Sequence, residues 1–236
     1  MQGLSFLSGL LFLCLSPAAH VWAQTCGCAG KPDIAAFMPC HKIPFDNGAS
    51  LSWRYNCDSS WLTFENSQHH KRVIFSLEEP LMELTGRLGY THIQEYIHTF
   101  LVQNNVISGC CTPPEFHLYN KQNGKKLYEL GRLVFYSEQK KLPFAIGIAY
   151  PKRAADWDKG LSALIVYNLS TGKQYRIVLP ATITMETLNA ASYDLNPEYL
   201  FEQAVVKGHT VNLYYSLSRN GHDTRYHVLI DLDKYR

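Results

Sequence analysis

The sequence predicts a mainly β, antiparallel domain with one helix and an N-terminal segment pinned by disulfides. Three observations lead there. Short runs rich in aromatic and β-branched residues alternate apolar with polar positions and are bounded by Gly, Asn and Asp. One stretch carries a clear helical period. Six cysteines remain once an apolar leader is set aside, an even number suited to an oxidising compartment.

The leader comes first. Residues 4–15, LSFLSGLLFLCL, form an apolar run, and Val21-Trp22-Ala23 places small residues where a signal peptidase reads them. The run falls short of the ~20 apolar residues that span a bilayer. Residues 1–23 therefore read as a signal peptide, cut after Ala19 or Ala23, although no Lys or Arg precedes the run. The expected product is a single exported domain, 24–236, periplasmic or secreted. Residues 1–23 carry no charged side chain, so its formal charge stays at 22 − 20 = +2. A value so near zero gives no electrostatic case for nucleic acid. No second apolar run suggests a membrane span.

Residues 24–48, QTCGCAGKPDIAAFMPCHKIPFDNG, lack a helical or strand period and read as an irregular, tethered segment. The cysteines of the mature chain are Cys26, Cys28, Cys40, Cys57, Cys110 and Cys111. Adjacent Cys110 and Cys111 would hold their Cα atoms ~3.8 Å apart, below the usual disulfide range. Cys26–Cys28 closes a similarly tight ring. Excluding both pairs sends Cys110 and Cys111 each to a partner between residues 26 and 57, with the third bridge inside that region. The adjacent cysteines become a double anchor for the front segment. Metal binding is the alternative for the same residues, with His41 added: Cys26, Cys28, Cys40, His41, Cys57, Cys110 and Cys111 offer thiolates and an imidazole. The spacing lacks the paired Cys-x-x-Cys of structural zinc sites, and no cofactor is expected.

Strands follow along the chain. Ala49, Leu51, Trp53 and Tyr55 alternate with polar residues. Runs at 60–65 and 71–77 are similar, with the basic turn His69-His70-Lys71-Arg72 between them. Further strands are expected at 116–120, 125–130, 132–136, 144–150, 162–168, 174–179, 200–206, 210–217 and 225–232. In THIQEYIHTFLVQNN, Ile93, Tyr96, Ile97, Phe100 and Leu101 fall at helical spacing, and Thr91 with Gln94 makes a capping box. The sequence thus predicts a helix over 92–103, and a shorter one near 184–192.

Tyr119-Asn120-Lys121-Gln122-Asn123-Gly124-Lys125 matches Tyr167-Asn168-Leu169-Ser170-Thr171-Gly172-Lys173, 167 − 119 = 48 residues on. Tyr215, followed by Asn220-Gly221, continues the period. A sandwich or partly open barrel accounts for such turns. The period also suits a propeller blade, so a propeller-like array is the alternative architecture.

Few residues point to chemistry. Glu95-x-x-His98 has the i, i+3 spacing of di-iron helices but lacks the other carboxylates. No Gly-x-Ser-x-Gly elbow or phosphate-cradling glycine loop occurs. Asn168-Leu169-Ser170 fits a glycosylation sequon, though a turn explains it equally well. Trp157, flanked by Asp156 and Asp158 in a polar loop, is the expected binding platform, because an exposed indole stacks on a sugar ring or anchors a protein. The function expected from the sequence is an exported, disulfide-stabilised binding or interaction module for a protein or glycan, a non-enzyme in preference to an enzyme. The alternatives are a hydrolase acting on envelope or extracellular polymers, and a metal-binding envelope protein using the cysteine and histidine cluster.

Overall fold

A computed structural model describes residues 26–38, 40–106, 113–150, 163–179, 197–219 and 221–236. The fold is mainly β, and among the described residues its strands form three antiparallel sheets, none of them closed into a barrel. The first sheet is a meander of β1 (Lys42–Pro44), β2 (Ser50–Tyr55), β3 (Ser59–Glu65) and β4 (Lys71–Glu78). The second has seven strands: β5 (Gly89–Glu95), β6 (Thr99–Asn105), β7 (Glu115–Asn120), β8 (Lys126–Tyr136), β9 (Phe144–Ile148), β10 (Ala163–Asn168) and β11 (Gln174–Val178). The third is β12 (Phe201–Lys207), β13 (Thr210–Arg219) and β14 (His222–Asp231). Among the described residues one short α-helix, α1 (Ile34–Phe37), lies in the front segment.

The seven-stranded sheet turns a corner within β8. Its first part pairs with β7 and its second part, from Leu133, pairs with β9. Gly131, opposite Phe116 near the end of the first part, sits at φ 68°. A Cβ there would meet nothing, so the glycine answers a backbone need, not a steric one. The fold-back lets one apolar cluster fill the angle. Tyr96, Leu101, Phe116, Leu118 and Leu130 of the first part meet Ala145, Tyr167 and Leu169 of the second. A second cluster, including Leu51, Leu62, Phe64, Phe100 and Tyr119, joins the first sheet to β5–β7. The largest joins β9 and β10 to the third sheet through Phe144, Ile146, Val166, Leu213, Tyr215 and Ile230. Each meander thus packs on the next one along the chain.

This stacking explains why the helix expected over 92–103 is instead the β5–β6 hairpin. Tyr96 N–H donates to Thr99 O across its turn, at 2.9 Å. On β6, Phe100 and Val102 face one cluster while Leu101 faces the other. A strand buried on both faces loses its two-residue alternation, and the surviving pattern mimics a helical stripe. The capping box does not form: the Gln94 amide donates to Glu138 O at 2.8 Å.

The disulfide pairing also corrects the expectation. Cys26 is bonded to Cys40, and Cys28 to Cys57. All four front cysteines are spent on one another, so none is left to anchor Cys110 or Cys111, which lie outside the described residues. The bridges fasten the front segment to the end of β2, where Ile34, Met38, Tyr55 and Met82 form a small core of their own. Local contacts at the edge of the first sheet supply the tether that the sequence reading sought at a distance.

Candidate functional site

The recurrent asparagine turn builds the site. Asn120 and Asn168 begin the β7–β8 and β10–β11 turns. Each receives its closing bond from the glycine four residues on, Gly124 N–H to Asn120 O at 2.9 Å and Gly172 N–H to Asn168 O at 2.8 Å. Each side-chain oxygen accepts from the two amides inside the turn, the local competition with the backbone that makes asparagine a turn former. A third copy stands at Asn66, one residue shorter, whose Oδ1 accepts from Gln68 and His70. There His69, at φ 63°, holds the left-handed position that glycine takes elsewhere. The sequence repeat missed this copy because of the missing residue and the absent glycine.

The residue after each of the two longer-turn asparagines is buried. Leu169 packs into the core. Its counterpart Lys121 is only 4 % exposed, and its N–H donates to His98 O in the β5–β6 turn at 3.0 Å. The Lys121 ammonium donates to Glu95 Oε1 at 2.7 Å and to Tyr96 O at 2.8 Å. Lys140 donates to Glu95 Oε2 at 2.9 Å and to Asp46 at 2.7 Å, and the Asp46 N–H donates to Glu95 Oε1 at 2.8 Å. Burial raises the pKa of the Glu95 carboxyl, but these bonds outweigh it and leave the group below its ordinary value. The network contains two cations and two carboxylates, so its charge sums to zero.

Above this floor lies a pocket of about 340 Å³ lined by Asn47, Ile97, His98, Asn120, Lys121 and Gln122. Ile97, 60 % exposed at the tip of the β5–β6 turn, forms an apolar rim. His98 is exposed beside it. The Asn47 amide is fixed by donating to Lys121 O at 2.9 Å and accepting from Ala49 N–H at 3.2 Å. The pocket therefore combines amide and imidazole groups, one aliphatic contact and a rigid, charge-cancelled base. Such a lining suits a neutral ligand rich in hydroxyl groups better than an ionic one.

Two other polar clusters occur. Tyr90 OH lies 2.7 Å from His117 Nδ1 and within hydrogen-bonding reach of Tyr119 OH, which in turn donates to Ile74 O at 3.5 Å. One direction makes all three bonds: His117 Nδ1–H to Tyr90, Tyr90 to Tyr119, Tyr119 to the carbonyl. Burial, with Lys126 nearby, lowers the His117 pKa and holds the ring neutral. The third cluster is at the end of β9, where Tyr150 OH donates to Glu198 Oε1. Glu198 is 5 % exposed and its Oε2 has no hydrogen-bond partner among the described residues.

The residues singled out from the sequence fall differently. The expected platform, Asp156, Trp157 and Asp158, lies outside the described residues, as does the short helix expected near 184–192. Glu95 and His98 do meet at the pocket, but on a strand end and a turn instead of one helix face. Among the described residues no three His, Cys, Asp or Glu side chains are grouped to hold a metal ion, and the four front cysteines are disulfides, not thiolates. No helix among the described residues is long and apolar enough to cross a membrane.

No protein-family model and no curated protein sequence matches the chain. Among solved structures, a hypothetical selenium-binding protein from Sulfolobus tokodaii is 7 % identical, with a TM-score of 0.27. The match covers 78 % of this chain and 43 % of that one, so this chain spans less than half of its length. A likeness of that size carries no argument about fold or function.

Proposed function

We propose that the protein is an exported binding module that takes a neutral, hydroxyl-rich glycan in the pocket between the β5–β6 and β7–β8 turns. The observation that carries this reading is the cancellation of charge beneath an amide-lined surface. Lys121 and Glu95 are buried at 5 % and 13 % side-chain exposure, and both Glu95 oxygens are taken by donors. The charges therefore stiffen the base without recruiting an ion. Asn120, Gln122 and His98 offer donors and acceptors to sugar hydroxyls, and Ile97 offers a surface for the C–H face of a ring. Two disulfides support an oxidising address, and export through the leader is part of the same proposal.

The test is a titration of the ¹⁵N-labelled protein with a panel of neutral and N-acetylated oligosaccharides. Saturable shifts confined to Ile97, His98, Asn120 and Gln122, lost in Ile97→Asp, support the reading. No shift at these positions with any sugar at millimolar concentration defeats it.

A second reading is favoured by Glu198. A buried carboxyl with one oxygen unpartnered among the described residues is costly to keep, and such a group calls for a role. On this reading the protein is a hydrolase of extracellular polymers in which Glu198 exchanges a proton and Tyr150 orients it. Loss of polymer cleavage in Glu198→Gln, with unchanged melting temperature, would support it. Absence of cleavage by the unaltered protein would remove it.

A further inference from the structure

The edges of the three sheets differ in how well they resist pairing. β1 has three residues, one of them Pro44, and β11 has five. β4, β5 and β12 each carry a register shift in their single ladder. Short strands, prolines and bulges are the usual means of blunting an edge. β14 has none of them. It runs for ten residues, pairs among the described residues only with β13, and keeps register without a break from Thr210↔Asp231 to Arg219↔His222. It contains no proline or lysine, and residues 222–225 are exposed.

We infer that β14 is an interface between two copies of this chain, paired antiparallel about a two-fold axis perpendicular to the sheet. Such an axis keeps the outward residues of both copies on one face, so residue i meets residue j only where i and j have the same parity. The outward positions are Asp223, Arg225, His227, Leu229 and Asp231. Axes at Arg225, Tyr226 or His227 set Arg225 opposite a second Arg225, opposite His227, or leave Asp223 facing Asp231. An axis at Thr224 sets Arg225 opposite Asp223 twice. An axis at Val228 sets Arg225 opposite Asp231 twice. An axis at Leu229 would set His227 opposite Asp231 but leave Arg225 outside the ladder, so pairing Arg225 with a carboxylate picks the axes at Thr224 and Val228, and both need the Arg225 charge. In the single copy Arg225 lies over the Tyr214 ring, 4.5 Å from its centroid, and donates to Gln203 at 2.8 Å. Pairing exchanges these for a charge-assisted bond to a carboxylate.

The test uses the full secreted chain. Analytical ultracentrifugation from 1 to 100 µM is expected to show a monomer–dimer equilibrium, weakened at least tenfold in Arg225→Glu. Residues on the axis lie ~4.5–5.5 Å apart between Cα atoms, within disulfide range. Thr224→Cys or Val228→Cys should therefore form a covalent dimer under mild oxidation, and the one that does so identifies the register. A monomer at 100 µM overturns the inference. So does a dimer that neither cysteine cross-links, or one that survives Arg225→Glu unchanged.

Discussion

Lys121 and Leu169 occupy the same position in two copies of one turn, and both are buried. Each also donates its N–H to a neighbouring loop, Lys121 to His98 O and Leu169 to Pro143 O. The backbone frame is shared, and only the side chain's answer to burial differs. Leu169 needs nothing further. Lys121 needs Glu95 and the Tyr96 carbonyl. A buried ion pair rarely adds stability over an apolar pair of similar volume, whereas breaking one is expensive.

Lys121→Leu alone is therefore expected to cost about 3 kcal/mol, because Glu95 keeps its burial and loses its nearest cation. Lys121→Leu with Glu95→Gln should recover most of that loss, since the frame accepts leucine at the equivalent site. Lys140→Ala, which removes a half-exposed partner, should cost only about 0–1 kcal/mol. Urea denaturation of the three variants checks the order.

Glycine at the turns has two grades of necessity. A Cβ on Gly124 would lie 2.4 Å from the ring of Phe64, a fully buried side chain, at a φ of 65°. A Cβ on Gly172, at φ 73°, would lie 3.2 Å from Tyr128, which is 39 % exposed and can move. Gly124→Ala should cost about 2–4 kcal/mol from overpacking added to backbone strain. Gly172→Ala should cost about 1 kcal/mol, chiefly from the backbone. Thermal melting of the pair distinguishes the two.

His117 should make stability fall in mild acid. Its folded pKa is lowered from 6.5, so the unfolded chain takes a proton that the folded chain resists. Stability is full above pH 6.5 and declines as the pH falls through that value towards the folded pKa. Glu95 and Glu65, both lowered from 4.5, extend the decline below pH 4.5 by the same sign. His117→Phe should flatten the change in melting temperature between pH 7.5 and 5.5 and leave the loss below 4.5 intact. An unchanged slope would exclude His117 as its source.

The front segment should depend on its bridges. Cys28 and Cys57 are 29 residues apart and Cys26 and Cys40 are 14 apart. The chain-entropy relation gives each about 3–4 kcal/mol. Peptide mapping without reduction should recover these two links, and Cys57→Ser should expose the α1 segment to proteolysis before the sheets. Recovery of Cys28 linked elsewhere would contradict the pairing.

Three strands of the first sheet were legible from residue pattern, although β3 is buried on both faces. β2, β3 and β4 lie where alternation and β-branched content put them, and the turns at Asn120 and Asn168 were visible as a repeat. β6 was not, because its Phe100 and Leu101 complete a helical spacing begun by Ile93, Tyr96 and Ile97 in the strand and turn before it. The 125–130 and 132–136 runs were legible as two strands and not as one bent strand, because Gly131 marks a break in either case. The pocket was invisible for a different reason. Asn47, Ile97 and Lys121 come from three separate turns, and a buried lysine has no sequence signal until its partner is known.

Composition and local pattern by themselves determined the class of this protein: antiparallel β, turn-punctuated, with cysteines suited to disulfides. Those features depend on neighbours a few residues apart. The tertiary structure alone decided which cysteines pair, that 92–103 is a hairpin, and that Glu95, Lys121 and Lys140 meet under a pocket. Each of those outcomes depends on which meander packs against which, and that contact between distant segments sets burial, which in turn decides how an apolar or charged residue is used.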